Sequence, residues 1–149
     1  GPVRSEQMDR LGWALAFAEG RMIVPSDLIY LRRTRDKGYG VYARQQIPAR
    51  TNIEEFPVLV VPATDMFNPH GTSLLAQYAF SWSAGKVAIA LGYGSLYNHS
   101  YNPNARYDDI RPRKKVITAV RDIEPDEEIT INYNGDPDDP GPVGFDVIE

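Results

Sequence analysis

Asn98-His99-Ser100-Tyr101-Asn102-Pro103-Asn104, followed along the chain by Glu127-Glu128-Ile129-Thr130-Ile131-Asn132-Tyr133, is the pair of segments that decides the fold. The first gathers polar side chains around Pro103, a composition that makes a rigid turn. Asn98 and His99 bring side-chain and backbone hydrogen-bonding groups to that turn. A turn-buried, satisfied histidine reads the same way. The second segment alternates Ile129 and Ile131 with polar residues, the period of a half-buried strand, and ends on Tyr133. A phenol buried there needs a hydrogen-bond partner; a core tyrosine is the plain alternative.

Working outward, Lys37-Gly38-Tyr39-Gly40-Val41 pairs two glycines around a tyrosine. Glycine takes φ values that other residues avoid and lets a backbone approach a ligand closely, so Gly38 and Gly40 can bring main-chain groups to a small molecule. The alternative is an ordinary tight hairpin. From Leu28 onward the chain runs in short β-type stretches, namely LIYLR, GVYAR, NIEEF, VLVV, KVAIAL, NARYDD, KVITAV and EEITINY, separated by Pro, Gly, Asn or Asp. This texture predicts a mostly β chain with several small sheets. One interior helix is expected in TSLLAQYAF at 72–80, capped by Thr72 or Ser73. A short amphipathic helix is expected at 9–19, with Leu11, Ala14, Leu15 and Phe17 near one face and Gly20 as its stop. After Tyr133, the prolines and acids of NGDPDDPGPVGFDVIE forbid regular structure, so the tail is expected to be held at most by Phe145 and Val147.

With 149 residues and 42% apolar content, the chain supports one hydrophobic core rather than two. Gly1-Pro2 reads as the scar of a removed tag and Met8 as a natural start. The expected organisation is a remnant at 1–7, an N-terminal extension at 8–27, one domain at 28–135 and an acidic tail at 136–149. No apolar run approaches the roughly 20 residues that cross a bilayer, and no secretory signal opens the chain, so a soluble intracellular protein is expected. Without cysteine there is no disulfide framework, Cys-zinc site or thiol nucleophile. The two histidines, His70 and His99, have no metal-ligand spacing, so no metal is expected. Neither Gly38-Tyr39-Gly40 nor Gly92-Tyr93-Gly94 extends to a dinucleotide or phosphate-cradling motif. Asn98-His99-Ser100 matches a glycosylation sequon, a pattern common by chance. Arg111-Pro112-Arg113-Lys114-Lys115 reads as an exposed hairpin tip rather than a phosphate site, and DIEPDEEI at 122–129 as a solvated turn. A net charge of −4 suits a basic peptide partner better than nucleic acid.

Taken together and in this order, the segments at 37–41, 98–104 and 127–133 resemble the SET-domain lysine methyltransferases, over a span from about Leu31 to Tyr133. The absence of an inserted subdomain and of cysteine-rich flanks is similar to the minimal SET proteins of large viruses and bacteria, of the chlorella-virus histone methyltransferase type. The resemblance implies a SET-domain β-clip fold of several small sheets, with a C-terminal pseudoknot and one or two short helices. It also implies S-adenosylmethionine as methyl donor and S-adenosylhomocysteine as product. Cofactor contacts are then expected from Lys37, Gly38, Tyr39, Gly40, Asn98 and His99, with the last two at the adenine edge and the amino group. Tyr133 would aim its hydroxyl at the methyl group and the target nitrogen, and Tyr78 resembles a second active-site tyrosine, with core packing as its alternative. Phe145 would cover the adenine or wall a lysine channel. The implied partner is a basic, lysine-containing protein segment such as a histone tail, and the viral relatives allow a homodimer. A silent SET-like binding or scaffold module is the competing reading.

Overall fold

The computed structural model describes residues 23–68, 71–110 and 112–149. The expected remnant at 1–7, the helix at 9–19, Met8 and His70 lie outside them. The described residues open with hairpin β1 (Ile29–Arg33) and β2 (Tyr39–Ala43), then β3 (Asn52–Pro62) and the two-residue pair β4 (Phe67–Asn68) and β5 (Gly71–Thr72). Hairpin β6 (Ala79–Ser83) and β7 (Lys86–Ala90) follows, then β8 (Asn98–His99), hairpin β9 (Ala105–Ile110) and β10 (Lys114–Ala119), and finally β11 (Glu128–Ile131). The chain is mostly β, as its texture predicts.

Two sheets do most of the work, one ordered β1-β2-β11-β8 and one ordered β6-β7-β3-β10-β9. β3 joins the apparent runs NIEEF and VLVV into one strand, whose first part pairs with β10 and whose second part pairs with β7. Pro57, which has no N–H to give a ladder, sits at the changeover. Alternating apolar positions fill the space between the sheets: Val41 and Ala43 of β2, Ile53, Phe56 and Val58 of β3, Ile117 and Ala119 of β10, Ile129 and Ile131 of β11. Burying each Val, Ile or Phe contributes about 1.5–3 kcal/mol, so these strands are held by their inward faces more than by propensity. Ile47 and Ile123, joined by an isolated bridge, close one end of the core.

The interior helix is shorter and tighter than the sequence implies. Leu74–Tyr78 forms a 3₁₀ turn with no buried residue, and Ser73 caps it by accepting from the Leu75 N–H at 3.2 Å. Without an apolar face to bury, the segment has nothing to carry it beyond this turn, and Ala79 and Phe80 instead begin β6. In the basic string Pro112 and Arg113 form the exposed turn that is expected, but the two lysines beside them do not share it. Lys114 pairs with Glu55 at 3.0 Å, while Lys115 is fully buried, ion-paired to Asp109 and lying 4.5 Å from the Phe80 ring centroid and 4.4 Å from that of Tyr107. Hairpin alternation points Lys115 inward, where aromatic faces and a carboxylate satisfy its charge. The acidic turn is likewise tied down: Asp122 accepts from Ala49 N–H at 2.8 Å, and Asp126, with φ of 63°, accepts from the Tyr30 hydroxyl.

Candidate active site

β11 is antiparallel to β2 on one side and parallel to β8 on the other, with Thr130 beside Asn98 and Ile131 beside His99. The 98–104 segment then holds the strand with side chains. Asn104, 2% exposed, donates to the Glu128 carbonyl at 2.8 Å and accepts from the Thr130 N–H at 2.9 Å, taking the place of a strand partner. Ser100 N–H donates to the Ile131 carbonyl. This clasp brings the two deciding segments of the sequence together and carries the chain on to Tyr133.

The hairpin glycines serve the clasp from behind. Gly38 turns with φ of 74°, and its carbonyl accepts from both the N–H and the hydroxyl of Thr34. A Cβ on Gly40 would lie 2.7 Å from Glu128 Oε1 and 3.2 Å from Asn98 Nδ2, so only glycine leaves room for that pair. Asn98 Nδ2 donates to Glu128 Oε1 at 2.7 Å and to the Tyr39 carbonyl at 3.1 Å.

Tyr133 is held at both ends. Its N–H donates to His99 Nδ1 at 3.0 Å, and its hydroxyl donates to the Tyr97 carbonyl at 2.6 Å. Burial, aided by Glu128 and Tyr78, pushes the phenol up to about 12, so it stays a hydrogen-bond donor at neutral pH. Because His99 accepts through Nδ1, its neutral ring carries the proton on Nε2, and burial keeps its pKa below the ordinary value.

Two cavities meet at Tyr133. The smaller, about 230 Å³, is lined by Asp36, Lys37, Asn98, His99, Tyr133 and residues 145–148 of the tail. Inside its wall, His99 Nε2 is buried with no hydrogen-bond partner, a donor waiting for an acceptor. Lys37 supplies a cation 4.0 Å from Glu128. An orphaned N–H, a lysine, carboxylates and the Phe145 ring fit a small molecule that joins a carboxylate, an amine and an aromatic base, as S-adenosylmethionine does. The larger cavity, about 370 Å³, is lined mainly by Tyr78, Phe80, Tyr97, Tyr107 and Tyr133, with Gly94, Ser95 and Asn134 among its other walls. Among the described residues, no carboxylate or imidazole lines it.

Of the residues singled out by sequence, Lys37, Asn98, His99, Phe145 and Tyr133 thus meet in one cavity, and Tyr78 meets Tyr133 in the other. Gly38, Tyr39 and Gly40 line neither; Tyr39 reaches the site through its carbonyl and Gly40 through the room it leaves. The tail is tied down at more places than Phe145 and Val147. Asn132 Nδ2 donates to the Asp139 carbonyl, Asn134 and Tyr101 both donate to the Gly141 carbonyl, and Glu149 accepts from the Ser100 hydroxyl and the Tyr101 N–H. Those hydrogen bonds hold the Glu149 carboxyl below the usual range. The Phe145 ring stands 6.2 Å from His99 and 6.0 Å from Tyr133, edge to face with His99. Sequence reasoning passed over Tyr97, Tyr107, Glu54 and Glu149. Tyr97 directly precedes the Asn98-His99 motif, which is the one signal that marked it.

Among the described residues there is no cluster of His, Asp or Glu placed to hold a metal, and no helix long and apolar enough to cross a membrane. A family model for the SET domain matches residues 38–134. A Schizosaccharomyces pombe protein named histone-lysine N-methyltransferase, H3 lysine-37 specific, is 39% identical over 105 residues, covering 69% of this chain and 71% of the relative. A Mycosarcoma maydis histone-lysine N-methyltransferase, H3 lysine-36 specific, is 31% identical over 129 residues, and the match spans 78% of this chain but 13% of that protein. The crystal structure of a Plasmodium falciparum protein described as a histone methyltransferase superposes with a TM-score of 0.57 at 27% identity, covering 74% of this chain and 95% of that one.

Proposed function

The chain belongs to the SET-domain family and is an enzyme of its methyltransferase class; from that premise we propose that it moves a methyl group from S-adenosylmethionine to the side-chain amine of a lysine in a basic protein such as a histone. The observation that carries this reading is that one protonated phenol, Tyr133, is the single residue, among those described, shared by the linings of two cavities. The smaller cavity suits the methyl donor and the larger, aromatic one suits a lysine side chain.

In this reading Lys37, Asn98 and His99 hold the donor's polar ends while Phe145 covers its base. When bound there, S-adenosylmethionine supplies a methyl group on a sulfonium, which an unprotonated amine takes by in-line displacement. The tyrosines of the larger cavity attract an incoming ammonium through their ring faces, and burial among them lowers its pKa until the proton passes to water. With no carboxylate or imidazole among the described residues of that lining, no dedicated base is invoked. Tyr133 cannot take the proton either, since its own phenol stays protonated; it orients the amine. The tail from 136 onward supplies the donor's outer wall. A net charge of −4 favours encounter with a basic segment.

Titration calorimetry with S-adenosylmethionine and S-adenosylhomocysteine, repeated on Asn98→Ala, tests the donor site: one-to-one binding lost in the variant is expected. A radiolabelled-methyl screen of basic proteins then tests the reaction. Tyr133→Phe is expected to keep donor binding and lose turnover by about 100-fold or more, the scale of one positioned group at a reacting centre. Binding without turnover on any basic protein would leave a silent module.

A further inference from the structure

The second Gly-Tyr-Gly triplet, Gly92-Tyr93-Gly94, has no part in the site so far described, yet the chain around it is built on a buried carboxylate. Glu54 lies in β3 between Ile53 and Glu55 and is 8% exposed. Its Oε2 accepts from the Tyr93 N–H at 3.1 Å, and its Oε1 accepts from the Tyr97 hydroxyl at 2.8 Å. Gly92, with φ of 65°, is forced by the same group, because a Cβ there would stand 3.0 Å from Glu54 Oε2. Gly94 is forced by the core, since its Cβ would fall 2.5 Å from the Phe56 ring. One carboxylate therefore grips both ends of the 3₁₀ turn Gly94–Leu96.

That turn faces the reaction. Gly94, Ser95 and Tyr97 line the larger cavity, and the Tyr97 carbonyl accepts the Tyr133 hydroxyl at 2.6 Å. Tyr97 is itself 1% exposed, so its backbone position follows from its side chain. For stability alone, a carboxylate is a poor choice at this place. Removal from water disfavours its charge, and an apolar side chain of the same volume would avoid that cost.

We propose that Glu54 is a positioning residue for methyl transfer: by clamping the 92–97 turn it fixes the Tyr97 carbonyl, and through that carbonyl the direction of the Tyr133 hydroxyl. The kinetic part of this inference rests on the methyltransferase reading above; the structural part does not.

The test compares Glu54→Gln and Tyr97→Phe with Glu55→Gln, a control on the same strand whose carboxylate pairs with Lys114. Two signals are read: steady-state kinetics, and the ¹³Cζ resonance of Tyr133 in tyrosine-labelled protein, which reports the hydrogen bond of its hydroxyl. Loss of the clamp is expected to lower kcat about tenfold, the worth of one neutral hydrogen bond, with KM for donor and peptide changed less than about twofold. In a Tyr133→Phe background Glu54→Gln is expected to cost nothing further. The Tyr133 resonance is expected to shift in both clamp variants and to stay in place in the control. Should Glu54→Gln fail to fold, Tyr97→Phe carries the same readouts. A folded clamp variant whose Tyr133 resonance matches wild type overturns the proposal. Absence of turnover in the wild type would refute the methyl-transfer reading instead, and the resonance would still decide the role of Glu54.

Discussion

At the scale of single residues, His99 does two jobs with one ring. Nδ1 accepts the Tyr133 N–H, and buried Nε2 faces the smaller cavity's wall without a partner. Accepting through Nδ1 needs the neutral form, and burial holds the folded pKa below the ordinary 6.5. A histidine whose folded pKa is lowered stabilises the native state fully above its unfolded pKa, and that contribution is lost as pH falls through the folded value. Asparagine at this position keeps an acceptor near Nδ1 but cannot be protonated. Thermal midpoints of wild type and His99→Asn are therefore expected to differ by a constant amount above about pH 6.5 and to converge on acidification. A gap independent of pH would remove the histidine's charge from the account. His99, Asn98 and Tyr133 were legible in the sequence because their order along the chain is specific. Glu54 and Lys115 were not, since an acid or a lysine in a strand looks solvated until the partner elements are known. What buries Lys115 is the rings of Phe80 and Trp82, more than thirty residues away, together with that of Tyr107 across its own hairpin.

At the scale of elements, β11 shows what alternation does and does not reveal. Ile129 and Ile131 mark it as a strand, but nothing local says that its neighbours are β2 and the brief β8, or that the latter runs parallel. Much of that placement falls to Asn104, whose amide stands in for a backbone partner. Asn104→Ala leaves the partly buried Thr130 N–H and Glu128 carbonyl without their protein partner, so a loss of roughly 1–3 kcal/mol in urea denaturation is expected. Hydrogen exchange at Thr130 should rise with it. A loss below about 0.5 kcal/mol would mean that the strand is held by its isoleucines alone. The 72–80 stretch errs in the other direction. Its composition and cap read as a helix, but Leu74 and Leu75 are exposed, and the chain makes only a 3₁₀ turn before returning to β structure.

Over the whole molecule, the tail matters more than its composition suggests. Prolines, glycines and acids deny it regular structure, and yet side chains of Ser100, Tyr101, Asn132 and Asn134 fasten it back onto the domain, laying Phe145 beside His99 and Tyr133. Sequence gave no motif for these contacts because each is a single hydrogen bond from a residue with another duty. Phe145→Ala is expected to weaken S-adenosylhomocysteine binding roughly 3- to 10-fold, the worth of one aromatic contact, through faster release in stopped-flow fluorescence. An unchanged off-rate would remove the ring from the donor's wall. Among the described residues, the two cavities share Tyr133 and no other lining residue. In the proposed reading, donor and acceptor sites that meet at one shared wall would let spent donor be exchanged for fresh while the protein acceptor stays seated, so that one nitrogen would be open to more than one transfer in a single encounter.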